Sequence, residues 1–75
     1  MAKAIAQYFK RIFDDYKVLV MVNPSDFTGT ELILHPNGKV EKTEMEFDEE
    51  IFEDLAEDEF QPCSPLEFQL LLAKS

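Results

Sequence analysis

Cys63 and His35 are the only cysteine and the only histidine in the chain. They form the one pairing of residue types that suggests nucleophilic catalysis. A thiol enzyme needs a base beside the sulfur and usually a third group to orient that base. Cys63 stands just ahead of a segment that reads as a helix N-terminus, a position that lowers a thiol pKa. His35 ends a segment that reads as a hairpin strand, and nothing in the spacing brings the two residues together. A half-buried cysteine acting as a small hydrophobe and a turn histidine account for both more simply. No catalytic residue is assigned, and a small thiol enzyme using Cys63 stands only as an alternative.

Carboxylates are the other chemistry-bearing groups, and there are sixteen of them. Such abundance makes any one pair uninformative, because catalytic carboxylates need a pocket that perturbs them. Calcium chemistry is a poor fit. Calcium sites wrap a loop around the ion, and no Asp-x-Asp-x-Asp-Gly loop occurs. One cysteine and one histidine make a zinc cluster a poor fit, and Asn37-Gly38 is not a phosphate loop. No metal and no cofactor are expected.

What stands out is the segment from Glu41 to Glu59, with eleven acids and one lysine. Read as a helix beginning at Asp48, it stacks like charges four residues apart: Glu49 with Glu53, Glu50 with Asp54, Glu53 with Glu57, and Asp54 with Asp58. Each such pair costs roughly 0.2–0.5 kcal/mol in an isolated helix. A basic partner would relieve that repulsion. The candidate docking face is Glu46, Glu49, Glu50, Glu53, Asp54, Glu57 and Asp58. The plainer alternative is a solvated face that only keeps the protein soluble. A second candidate surface lies at the C-terminus, where Leu66 and Leu70 (with Ala73) fall on one side of a helix and Phe68, Leu71 and Leu72 on another. One side can pack on the domain; the other needs cover or a partner, and a weak homodimer is expected there.

The elements that position these residues follow from periodicity. Residues 2–16 read as an amphipathic helix, with Ala2, Ile5, Phe9, Ile12, Phe13 and Tyr16 at i, i+3, i+4, i+7 spacing and Lys3, Lys10 and Arg11 on the outer face. Residues 17–22 are a β-branched run apolar on both faces, so the strand expects cover on both sides. Thr30 to His35 and Lys39 to Phe47 are two more strands, joined by Pro36-Asn37-Gly38, which predicts a type I turn with a Gly bulge. Asp48 is expected to cap a helix running to about residue 58, with Phe47 and Phe52 as a hydrophobic staple. Gln61-Pro62-Cys63 reads as a connector. Ser64-Pro65-Leu66-Glu67 is a capping box with Pro at the first helical position. It opens a helix to Ala73, with a strand over 66–73 as the competing reading.

The whole is expected to be a single small acidic domain over residues 1–75. Its class is α+β, a three-stranded antiparallel meander with one N-terminal and two C-terminal helices in the order α-β-β-β-α-α. A chain of this length buries only about 60–65% of its unfolded surface, and with a lone cysteine it has no internal disulfide to compensate. The formal charge is −9, with a net of +1 over residues 1–40 and −10 over residues 41–75. Phosphates repel such a surface, so direct nucleic-acid binding is disfavoured, whereas a basic protein is attracted. The longest apolar run, Val18 to Val22, is too short to span a bilayer, and no secretory signal is legible. A cytoplasmic protein without a membrane partner is expected. These features point to a non-enzymatic interaction or regulatory module that docks on a basic protein surface, in one version as a nucleic-acid mimic. A small structural subunit of a larger assembly is the alternative.

Overall fold

The structure, a computed structural model, describes residues 6–75. The order of elements is β1 (Gln7–Ile12), β2 (Lys17–Asn23), β3 (Thr28–Leu34), β4 (Val40–Glu46), α1 (Ile51–Glu57), β5 (Gln61–Pro62) and α2 (Pro65–Leu72). The five strands of the described residues lie in one antiparallel sheet, in the spatial order β4-β3-β2-β1-β5. The class is α+β, but the order is β-β-β-β-α-β-α. The expected α-β-β-β-α-α arrangement with three strands is wrong on two counts.

The first correction is the N-terminal helix. Residues 7–12 form a strand paired with β2, from Gln7 opposite Val22 to Ile12 opposite Lys17; residues 2–5 of the expected helix lie outside the described residues. A helix-like spacing arose because β1 places apolar groups on both sides of the sheet. Phe9 packs with Val18, Val20 and Val22, whereas Tyr8 packs with Leu19 and Leu32 on the opposite face. A strand covered on both faces loses the alternation that marks a half-buried one. Asp14 and Asp15 then form a hairpin tip, where Phe13 N–H donates to Tyr16 O at 2.8 Å and the two rings stack 4.5 Å apart.

The second correction is the connector. Gln61 and Pro62 form the short edge strand β5, with Pro62 opposite Phe9 and Gln61 opposite Lys10. Proline is tolerated there because an edge residue needs no outward donor.

Two helices cover the two faces. On one face α1 delivers buried Leu55 to Val18, Val20 and Val22, with Phe47, Ile51, Phe52 and Phe60 around it. On the other α2 delivers Phe68 and Leu71 to Leu19 and Leu32. Among the described residues, Phe68, Leu19, Leu32 and Val22 are the largest fully buried side chains. The double cover of β2 is thus supplied by one helix per face.

Local chemistry sets the turns. Gly38 has φ 88° and its N–H donates to His35 O at 2.9 Å, while His35 N–H donates to Lys39 O at 2.8 Å; the positive φ is the glycine position of a bulged hairpin. Gly29 sits where a Cβ would run into the Met21 carbonyl and the Phe47 ring. Helix α1 starts three residues later than Asp48. Its N-cap is Glu50, without a side-chain cap bond, and Asp48 contributes only its carbonyl to Ile51 N–H at 3.0 Å.

Candidate functional site

The seven acids of the candidate docking face are all exposed: Glu46 at the end of β4, Glu49 and Glu50 in the turn before α1, Glu53, Asp54 and Glu57 on α1, and Asp58 at its C-cap. Because α1 begins at Ile51, Glu49 lies outside the helix, and the charge stacking is lighter than a helix from Asp48 would impose. Glu53 and Glu57 remain four apart within the helix. Among the described residues, none of Glu46, Glu49, Glu50, Glu53, Asp54 and Glu57 forms an ion pair.

Three of the cations, Lys10, Arg11 and Lys17, are committed to holding the helices and not to the carboxylates of this face, and β1 explains how. Successive strand residues point to opposite faces, so Lys10 and Arg11 address different helices. Arg11 turns toward α1. Its guanidinium donates to the Asp58 carbonyl at 2.7 Å, lies 3.6 Å from the Glu59 carboxylate, and sits 4.5 Å from the centre of the Phe13 ring. A cation on the last carbonyls of a helix suits its dipole. Lys10 turns toward α2 and, with Lys17, clamps Glu67: Lys10 Nζ donates at 3.0 Å and Lys17 Nζ at 2.6 Å. The side-chain hydrogen bonds from Lys17 and Lys10 hold the Glu67 carboxyl at a pKa of about 2, and the bond from Glu67 raises that of Lys10. Lys10 and Arg11 are therefore internal ties rather than the basic outer face of a helix. The clamp went unread because Glu67 was legible only as a capping-box residue. Ser64 Oγ does accept from Glu67 N–H at 3.1 Å, but the Glu67 side chain reaches across to the sheet.

The C-terminal segment forms the helix α2, not the competing strand. Its two apolar sides are treated differently. Phe68 and Leu71 are buried and Leu72 half-buried, whereas Leu66 and Leu70 are 68% and 61% exposed.

Cys63 follows β5, with its N–H donating to Tyr8 O at 2.9 Å and its thiol to Ser64 O at 3.4 Å. Its pKa is raised, first by burial and then by the nearby Glu67 carboxylate, outweighing Lys10 and Lys17. That is the opposite of the lowering expected from the helix N-terminus alone. His35 pairs instead with Glu41, Nε2 to Oε1 at 3.1 Å, beside the β3–β4 hairpin. Among the described residues, no group of three or more His, Cys, Asp or Glu side chains is placed to hold a metal ion, and no helix is long and apolar enough to cross a membrane.

No protein-family model matches the chain, and neither the curated proteins nor the solved structures yield a significant match.

Proposed function

We propose that the protein is a non-enzymatic, cytoplasmic interaction or regulatory module that docks on a basic protein surface through the acids of α1 and its flanks. The observation that supports this reading is the division of charge. The cations of β1 and the first residue of β2 are spent on holding the two helices, while Glu46, Glu49, Glu50, Glu53, Asp54 and Glu57 stand exposed without a counter-charge among the described residues. A basic groove that normally receives phosphates would be attracted to such a surface, and a module seated there would exclude nucleic acid from its partner.

The test is capture from a native lysate at low and moderate salt, comparing the parent with Glu50→Gln, Glu53→Gln, Asp54→Gln and Glu57→Gln combined. Captured proteins are then assayed for nucleic-acid binding with and without the module. Salt-sensitive capture of a basic partner, lost in the combined variant, is the expected result. Equal capture by the variant sinks the docking reading. Capture that resists salt but fails on replacing Leu66 and Leu70 would instead favour a structural subunit, since those two side chains are the exposed part of α2.

A further inference from the structure

Strand β4 has the makings of a pairing edge. It lies at the end of the sheet, runs seven residues in unbroken register with β3 from Val40 opposite Leu34 to Glu46 opposite Thr28, and contains neither proline nor bulge. Glu41, Lys42, Thr43 and Glu44 are exposed in succession, so none of the described residues covers either face there. Natural edges are usually blunted by shortness, bulges, proline or charge; here only charge is used.

The direction of the backbone groups is fixed by the bonds at either end. His35 N–H donates to Lys39 O, and Phe47 N–H donates to Phe27 O. Antiparallel ladders alternate bonded and non-bonded pairs, so residues 39, 41, 43, 45 and 47 turn their groups toward β3. Val40, Lys42, Glu44 and Glu46 turn theirs outward.

We propose that β4 is self-complementary, and that two copies pair through it, antiparallel about a two-fold axis at Thr43, joining the two sheets into one. In that register Lys42 lies opposite the second copy's Glu44, and Glu44 opposite its Lys42. Val40 meets Glu46, Glu41 meets Met45, and Thr43 meets Thr43. All seven residues are paired, no like charges fall directly opposite, and threonine against threonine is itself a favourable cross-strand pair. Shifting the register sum by two sets Lys42 on Lys42 or Glu44 on Glu44. Shifting it by one opposes outward groups with inward ones and loses the hydrogen bonds. The charges that deter other strands therefore select this one register. The seam is a short strand pair, in the small, weak class of interfaces, and it works against two copies at −9. Association is accordingly concentration-dependent and stronger at moderate than at low salt.

Sedimentation from about 10 μM to about 1 mM at moderate salt tests the seam. The parent dimerises within that range. Lys42→Glu or Glu44→Lys alone creates two like-charge pairs and weakens the dimer at least about tenfold, while the double exchange Lys42→Glu with Glu44→Lys restores it to within about threefold. Replacing Leu66 and Leu70 with Ser leaves the dimer unchanged. Thr43→Cys in a Cys63→Ala background forms an intermolecular disulfide on oxidation, because a non-bonded antiparallel pair sets its Cα atoms about 4.5 Å apart. A parent that stays monomeric to the top of the range, a double exchange as weak as the single reversals, or loss of the dimer on replacing Leu66 and Leu70 would each overturn the proposal.

Discussion

Glu67 shows how much a single side chain carries in a domain this thin. It sits in the first turn of α2, where its charge suits the helix dipole, and it receives two lysine ammonium groups from adjacent strands. Its folded pKa lies near 2, well below the ordinary carboxylate value. The stability it contributes is therefore fully present above the ordinary value and is lost as pH falls from there through about 2. Glu67→Gln should cost about 1 kcal/mol near neutral pH, the discounted worth of a part-exposed pair with charge-assisted hydrogen bonds. It should also flatten the acid limb of stability below about pH 4.5. Urea titrations of parent and variant across pH 2–7 check both. A variant with an unchanged acid limb would mean the clamp is energetically idle. From the sequence, Ser64, Pro65 and Glu67 announced a helix start. That Glu67 would also meet lysines 57 and 50 residues away required knowing that 7–12 is a strand beside 17–23.

Element boundaries were readable wherever backbone chemistry is local. Pro36-Asn37-Gly38 marked a turn because Gly takes the positive φ, and Ser64-Pro65 marked a cap because both residues satisfy a helix start by themselves. They were misread where burial on two faces erased periodicity, as in β1, and where two residues sufficed for a strand, as in β5. The end of α1 was legible in a third way: a helix continued past Asp58 would have turned Glu59 onto the apolar stripe. The chain stops there with Glu59 at φ 64°, Phe60 N–H donating to Leu55 O at 2.9 Å and Glu59 N–H to Ala56 O at 3.2 Å. This is a Schellman ending, with Phe60 and Leu55 in the same apolar cluster. Glycine normally fills the left-handed position, since a Cβ there costs about 1 kcal/mol or more. Glu59→Gly should therefore stabilise the domain by about 0.5–1 kcal/mol, the relief being offset partly by a more flexible unfolded chain and by one exposed contact with Arg11. Protection of the α1 amides in hydrogen exchange should rise with it. A loss of stability would show that the Arg11–Glu59 contact outweighs the strained φ.

At the scale of the whole molecule, charge works in two opposed ways, and salt separates them. Sixteen acids against seven Lys and Arg give the formal −9, a self-repulsion spread over the surface and concentrated around α1. Against it stand a few close attractions, chiefly the Lys10–Glu67–Lys17 clamp at 3.0 and 2.6 Å. Repulsions between exposed groups are screened once the Debye length falls to about 10 Å, near 0.1 M salt, while partly buried contact pairs are screened much less. Raising sodium chloride from about 10 mM to about 0.5 M should thus stabilise the domain by about 1 kcal/mol, or about 4–8 °C in midpoint for a chain of this size. Chloride is the suitable anion because sulfate strengthens apolar burial on its own account. The measurement belongs at a few μM protein, below the range where strand pairing would add a concentration term. In the combined Gln variant at positions 50, 53, 54 and 57, four negative charges fewer than −9 leave −5, and the salt gain should fall by roughly half. A parent destabilised by salt would mean that the local clamps, and not the net charge, dominate its electrostatics. The acids of α1 would then carry no strain for a basic partner to relieve.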